Sequence, residues 1–567
     1  MSQFPMNGDP RRIGVTTPMP GVVYPPPAEL QRYVEAGALG FDTVPEAFVR
    51  AWRTHASRDA LVGPEGNLTY AELDVLTDRA AAAFLHLGLA PLDRVMFQVA
   101  NCNESLICLF ACWKAGLIPV CTLAAHREQE IGYLAAHAEA KLHLVHGAVK
   151  FDDVAFAEKM QREVPSLTHI VQLRGPARGK ALALPDLIAA EDPAAARALL
   201  ASLPRDPFQV CVFQLSGGTT GVPKIIPRFH NDYLYNMRAV AAWNSFTADD
   251  TLFIPMPFMH NLNMVCCFGP MLLEGARVAV APNIEEATIT DIMARHRPTW
   301  IILGPLLAKL EAARAAGRID FASARTIVSM GGAAPLRKLT GAPVMHIFGM
   351  TEGVIMYTRP QDPQQVQDIC VGRPVSPFDQ VRIVKPGTEQ DVVRGETGEC
   401  IFRGPYTIHG YYDAAERNRD AFTSDGWYRS GDLMEEIEVD GQSYYIFKGR
   451  TKDVIDRGGE KINCEEVEWG CNAHPSVAAS AVVGMPDRIY GERACAFLVL
   501  RPDMPAPDVA SLGAFLKTYG MASFKWPERV EIVKEFPMTI SGKLSKPALK
   551  QMIAERIAAE SGGPAAQ

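Results

Sequence analysis

Residues 216–224 read Ser-Gly-Gly-Thr-Thr-Gly-Val-Pro-Lys. Gly217, Gly218 and Gly221 let the backbone turn sharply and present its N–H groups. Thr219 and Thr220 add hydroxyls, and Lys224 adds a positive charge. Such a loop is built to hold a polyphosphate. The run Gln209–Leu215 before it predicts a buried strand, and 231–242 predicts a helix, which sets the loop between strand and helix. It is not a Walker loop, because Lys224 follows Gly-Val-Pro and precedes Ile225. Pro223 also disfavours a helix starting there. The plain alternative is a surface loop.

Outward from this stretch, strand and helix signals alternate to about residue 350. Helices are predicted over 29–36, 44–55, 70–87 and 104–115. Strands are predicted at 94–99, 118–122, 141–145, 276–281, 300–303 and 326–330. This alternation predicts an α/β fold with largely parallel sheets. From about 380 the texture shifts to short strands with Gly-rich turns, at 380–384, 399–402 and 443–447. A boundary is expected near Gly449–Asp453, followed by a small α+β domain with helices over 464–473 and 508–519. The division predicted is a flexible tail over 1–25, a large domain over 26–450, a hinge at 451–453, a second domain over 454–560 and a tail over 561–567.

At 567 residues the chain exceeds one compact core. Apolar content is 48% and charged content 21%, the balance of a globular enzyme, and the net charge of −8 argues against nucleic acid as a partner. Apolar runs such as 300–307 are too short to span a membrane, and Arg11 and Arg12 lack the apolar stretch of a signal peptide. The twelve cysteines form no Cys-x-x-Cys pair. A reducing, cytoplasmic compartment is therefore expected, without a structural metal.

Four further motifs carry chemistry. Phe348-Gly-Met-Thr-Glu-Gly353 follows an apolar run and sets Thr351 and Glu352 at a strand end, where ligand crevices lie in open α/β sheets. Thr351 suits a phosphate oxygen and Glu352 suits Mg²⁺. The alternative is a helix cap. Tyr428-Arg-Ser-Gly-Asp-Leu433 offers Asp432 to ribose hydroxyls, or is a surface turn. Gly449-Arg-Thr-Lys-Asp453 and Ser541-Gly-Lys543 read as ligand motifs or as a charged linker and an exposed turn.

In this order and spacing the motifs resemble the adenylate-forming superfamily: acyl- and aryl-CoA synthetases, adenylation domains of peptide synthetases and firefly-type luciferases. The resemblance spans about residues 25–550. It implies a large N-terminal domain of two α/β subdomains plus a small β unit, then a small mobile α+β C-terminal domain. It also implies that a carboxylic acid attacks the α-phosphate of Mg·ATP, giving an acyl-adenylate and pyrophosphate. By resemblance, Ser216–Lys224 covers the β- and γ-phosphates, and Thr351 and Glu352 hold the α-phosphate and Mg²⁺. Asp432 and Arg450 take the ribose. Gly331, Gly332 and Ala333, after a strand ending at Met330, line the adenine and acyl side. Lys543 bridges carboxylate and α-phosphate, and Lys452 is the hinge on which the C-terminal domain swings.

The acid is expected to be read by Phe258-Met-His-Asn-Leu-Asn-Met-Val-Cys-Cys-Phe-Gly-Pro270. His260-Asn261 resembles the aryl-acid branch that starts siderophore assembly, the 2,3-dihydroxybenzoate and salicylate AMP ligases. Asn261 suits an ortho hydroxyl, with Met330, Val354 and Cys266 as an apolar slot. Backbone capping is the alternative for the His-Asn pair. Leu262-Asn263 and Cys266 stand where that branch carries Tyr-Pro and Ser, which tilts the expectation towards salicylate or another ortho-substituted benzoate. The acceptor is expected to be the phosphopantetheine thiol of a separate carrier protein, with free CoA as the alternative, and the protein a monomer or homodimer. Rival readings are a binding protein on an inactive adenylating scaffold and a luciferase-like oxygenase. The joint presence of Lys224, Glu352, Asp432, Arg450 and Lys543 argues against the first, and nothing in the sequence suggests oxygen chemistry.

Overall fold

Runs of Val, Ile and Leu bounded by Gly and Pro become strands here, and apolar residues recurring at helical spacing become the helices that cover them. The computed structural model describes residues 12–147, 151–216, 223–302, 307–330, 333–457, 460–519, 521, 523–539 and 543–560. The chain packs as two units, one of residues up to Gln380 with Phe402–Tyr428, the other of Val381–Ile401 with Arg429 onwards.

Among the described residues the first unit holds two sheets. One orders Leu182–Ala183, His169–Gln172, Leu142–Val145, Arg94–Gln98, Ile118–Val120, Val210–Ser216 and Lys224–Phe229. Its neighbours pair parallel except the last two, which are antiparallel. The other orders Arg373–Pro374, Gly353–Tyr357, Val344–Met350, Thr326–Ser329, Trp300–Ile302, Thr251–Phe253, Arg277–Ala279, Asp59–Val62 and Leu68–Thr69. It is parallel inside and antiparallel at both ends.

The segment after the glycine-rich loop corrects one expectation. Lys224–Phe229 is a strand, with Lys224 opposite Ser216, and it stands between the loop and the expected helix, which runs from His230 to Asn244. Pro223 and Pro227 exclude a helix, while Ile225 and Ile226 favour extended backbone. Pro227 sits on an edge strand, where its missing N–H is tolerated. The loop therefore joins two antiparallel strands and does not open onto a helix N-terminus.

The N-terminal segment is also more ordered than expected from residue 12. The Tyr24 hydroxyl donates to Gln209 Oε1 at 2.6 Å, Gln209 Nε2 donates to the Thr17 carbonyl at 2.8 Å, and the Thr16 N–H donates to Asp206 at 2.6 Å. Residues 1–11 and 561–567 lie outside the described residues.

In the second unit, Gln380–Val384, Thr397–Arg403, Tyr428–Val439 and Gln442–Arg450 form one sheet in that order. A second sheet orders Glu460–Asn463, Val454–Arg457, Gly491–Leu500 and Val477–Asp487, with Arg529–Ile532 on Gly491–Leu500. Helices Cys464–Asn472, Val509–Thr518 and Lys546–Glu560 pack with it. By packing, the chain passes between the compact units near 380, 401 and 428, with none of these crossings at 450. The physical reason is that strand Gln442–Arg450 packs on helix Cys464–Asn472 and on strand Glu460–Asn463. At Gly449, with φ of 120°, a Cβ would meet the Asn463 amide at 2.6 Å. No helix of the described residues is long and apolar enough to cross a membrane.

Helix Tyr70–His86 shows how the first unit's helices are fixed. Its start is a capping box, in which the Glu72 N–H donates to Thr69 Oγ1 at 3.2 Å and the Thr69 N–H donates to Glu72 at 2.8 Å. It packs on helix Asn103–Ala115, which buries Lys114 between Asp74 at 2.5 Å and Asp78 at 2.6 Å. Arg197 meets the same two carboxylates. Lys114→Ala leaves two buried carboxylates short of a partner and should cost about 3–5 kcal/mol. Chemical denaturation measures this as a lower midpoint, and an unchanged midpoint would show that Arg197 alone holds the pair.

Candidate nucleotide and acid site

Thr351 and Glu352 form the turn between the antiparallel strands Val344–Met350 and Gly353–Tyr357. Only glycine fits at 353, since a Cβ would lie 2.5 Å from the Phe402 ring and 3.1 Å from Thr407 Oγ1. Glu352 is buried, and its backbone carbonyl accepts from the Ile408 N–H at 2.9 Å. Its Oε1 accepts from the Tyr411 hydroxyl at 2.9 Å. Lys224 Nζ donates to that same hydroxyl at 3.3 Å and lies 4.4 Å from the ring centroid. Because the Tyr411 proton points to Glu352, the Tyr428 hydroxyl, 2.8 Å away, donates to Tyr411. Burial holds the Tyr411 hydroxyl well above its ordinary pKa, so it stays a donor. Tyr411 thus brings Lys224 and Glu352, which lie far apart in sequence, onto one oxygen.

Arg228 holds this arrangement from behind. It is fully buried on the strand that starts at Lys224. Its Nη1 donates to the Thr351 carbonyl at 2.9 Å and its Nη2 to the Tyr406 carbonyl at 3.0 Å. Its Nε lies 3.4 Å from Asp232, whose carboxyl is pushed up to about 6 by burial against the pull of Arg228. Ser216 Oγ is buried and has no partner among the described residues. Gly217, Gly218, Thr219, Thr220 and Gly221 lie outside them, as do Gly331 and Gly332. Ala333 is buried and opens the helix Ala333–Thr340.

In the second unit, strand register sets Asp432 opposite Arg450, and Arg450 Nε donates to Asp432 Oδ1 at 3.1 Å. Asp432 is buried and its N–H donates to Ser430 Oγ at 3.0 Å. Lys452 lies in the single turn Thr451–Asp453 and is exposed. Lys543 is also exposed, and its N–H donates to Thr539 Oγ1 at 3.1 Å.

The segment expected to read the acid has three parts. Asn261–Asn263 is one helical turn, and His260 Nδ1 accepts from the Leu262 N–H at 3.3 Å. His260 therefore caps this turn. Asn263, fully buried, donates to the carbonyls of Met256 and Pro257 at 2.9 Å each, so this departure braces the preceding turn. Met264–Phe268 then widens to i→i+5 bonding, the Gly269 N–H reaching the Met264 carbonyl, just before Pro270, which has no N–H to offer. Asn261 is buried, and its Oδ1 accepts from the Tyr233 hydroxyl at 2.8 Å. Cys266 is buried, its thiol pushed up to about 12. Tyr357, fully buried, sits against that thiol.

The structure does not bring together all three residues expected to form the apolar slot. Tyr357 and Ile355 share the core cluster of Cys266, whereas Val354 points to the opposite face of its strand. Met330 is 55% exposed. Alternation along the strand is what sends Ile355 and Tyr357 to the side of Cys266 and Val354 to the other.

The AMP-binding enzyme model matches residues 48–412, and the AMP-binding enzyme C-terminal domain model matches 466–543. The chain belongs to the AMP-binding enzyme family. It is 36% identical over 546 residues to the 2,3-dihydroxybenzoate-AMP ligase of Bacillus subtilis, covering 94% of this chain and 98% of that one. It is 36% identical to the salicyl-AMP ligase / salicyl-S-ArCP synthetase of Mycobacterium tuberculosis, over 90% of each chain. Among solved structures, the apo MbtA of Mycobacterium smegmatis aligns with a TM-score of 0.70 at 33% identity, covering 94% of this chain and 98% of that one. The fold is that of the adenylate-forming enzymes, and the protein is an ATP-using enzyme of the ligase type.

Sequence reading missed Tyr411, Tyr428 and Arg228. The signal present was Gly410-Tyr-Tyr412 and the opening Tyr of the Asp432 motif, but a tyrosine's partner is not written beside it. Tyr411→Phe removes a hydroxyl that contacts a carboxylate and an ammonium, each contact worth about 1.5–3 kcal/mol. The specificity constant for ATP in pyrophosphate exchange should fall on the order of 10- to 100-fold. Full activity in this variant would show that Lys224 and Glu352 position themselves.

Proposed function

We propose that the protein activates an ortho-substituted benzoate, salicylate or 2,3-dihydroxybenzoate, as its acyl-adenylate. It then passes the acyl group to the phosphopantetheine thiol of a separate carrier protein. The observation that carries this reading is the joining of Lys224 to Glu352 through Tyr411 in the unit that also buries Asn261. Relatives named for these two acids align over nine-tenths of the chain or more, which supports it.

In the first step a carboxylate oxygen of the acid attacks the α-phosphorus, the bond to the β-phosphate breaks, and pyrophosphate leaves. Lys224 and the loop from Ser216 take charge on the β- and γ-phosphates, and Thr351 donates to the α-phosphate. Glu352 suits Mg²⁺. Its Oε1 is fixed by Tyr411, no cluster of three or more metal-ligating side chains stands among the described residues, and Mg²⁺ typically binds one or two carboxylates plus phosphates. Bound there, the ion would neutralise phosphate charge. Asp432, oriented by Arg450, accepts from the ribose hydroxyls. Lys543 spans the acid's carboxylate and the α-phosphate. The bodies that move in this reading are 26–450 and 454–560, whatever the packing units, and rotation at Lys452 exchanges Lys543 for the thiol. In the second step the thiol sulfur attacks the acyl carbon and AMP leaves.

ATP–pyrophosphate exchange across benzoate, salicylate, 2,3-dihydroxybenzoate and fatty acids tests the reading. Exchange should be greatest with the ortho-hydroxylated acids, and no exchange with any aryl acid would sink it. Lys543→Ala should abolish exchange yet keep thioester formation from supplied acyl-adenylate. Equal loss of both steps would count against the exchange of domains. Offering holo-carrier protein and free CoA side by side separates the carrier reading from a CoA ligase.

A further inference from the structure

Asn261 does not choose its own orientation. Its Oδ1 accepts from the hydroxyl of Tyr233, which is fully buried on helix His230–Asn244. The same hydroxyl accepts from Gln214 Nε2 at 3.1 Å. Gln214 lies two residues before Ser216 on strand Val210–Ser216 and is itself buried. Its Nε2 also lies 3.0 Å from Met264 Sδ and 3.5 Å from Cys121 Sγ. A thioether sulfur only accepts, so the Gln214 atom facing it must be the N–H₂ end. Gln214 then donates to Tyr233. The Tyr233 hydroxyl also lies 3.4 Å from Met264 Sδ, but Asn261 Oδ1 at 2.8 Å is the nearer and stronger acceptor and takes its proton. The Asn261 Nδ2 end has no partner among the described residues and is left as a donor.

We infer that Tyr233, held by Gln214, is a positioning residue that makes Asn261 a hydrogen-bond donor and so selects acids with an acceptor ortho to the carboxylate. The inference rests on the aryl-acid reading above and goes beyond it by naming what sets the polarity of the contact. In salicylate the ortho hydroxyl gives its proton to the neighbouring carboxylate, so its oxygen faces outward as an acceptor and suits Asn261. In 2-aminobenzoate the ortho group presents N–H instead and faces a donor with a donor. Turning the Asn261 amide would reverse this order, and without the Tyr233 proton nothing in the chain Gln214–Tyr233–Asn261 prevents the turn.

The experiment is pyrophosphate exchange by the full-length protein with salicylate, 2-aminobenzoate and benzoate, the last serving as internal reference. In wild type, salicylate should be preferred to 2-aminobenzoate. In Tyr233→Phe that preference should fall about tenfold, through KM for the acid, the loss expected of one hydrogen bond's orientation. Asn261→Asp, which presents only acceptors, should favour 2-aminobenzoate over salicylate. A parallel loss on all three acids in Tyr233→Phe, or an unchanged preference, would overturn the inference while leaving the aryl-acid reading intact. If Tyr233→Phe does not fold, Gln214→Leu carries the same test, with the same fall expected and an unchanged preference again overturning it. Failure of wild type to exchange with any of the three would overturn both.

Discussion

A single buried guanidinium ties the two sheets of the first unit together at the candidate nucleotide site. Arg228 lies on the strand that leaves the glycine-rich loop, in one sheet, and donates to the carbonyl of Thr351, in the turn of another. A buried arginine is costly unless its donors are spent, and here they go to Thr351, Tyr406 and Asp232. Removing it would strand two carbonyls and a carboxylate together. The loop lysine and the Glu352 carboxylate can be held to a fixed separation because their backbones are tied by this one side chain.

Tyr411 completes what Arg228 begins. The chain is acidic as a whole, so a site for a polyanion has to be made locally. A lysine left directly against Glu352 would form an ion pair that ATP and a metal would have to break. The intervening phenol, kept protonated by burial, lets each charge rest on a neutral group instead. In the proposed mechanism the cation and the carboxylate are then separately available to phosphate and to metal.

Much of this was legible in the chain itself. The alternation of strands and helices, the glycine-rich loop, Glu352 and Asp432 all stand in local patterns, and periodicity and turn chemistry are local properties. The register of Asp432 against Arg450 followed from nothing local, yet the two residues were paired correctly through their motifs. The strand after Pro223 was not read, because 224–230 was left unassigned between the loop and the helical run at 231–242. Tyr411, Arg228 and the Gln214–Tyr233–Asn261 chain were not legible, because each acts through a partner 19 or more residues away. Val354 was named for the slot without a known buried face, and the two-residue period of a strand places a residue only once that face is known.

The turn before the acid-reading helix is held from two sides. Asn263 donates to the carbonyls of Met256 and Pro257, and Asn101, from a distant part of the chain, donates to the same Met256 carbonyl at 2.8 Å and accepts from the Phe258 N–H at 2.8 Å. Half of this clamp travels with the segment and half does not. A graft of residues 256–270 between relatives would therefore carry its side chains but leave its geometry to whatever stands at position 101. Transplanting this segment is a two-site operation in this scaffold, and sequence change within it must respect the same linkage.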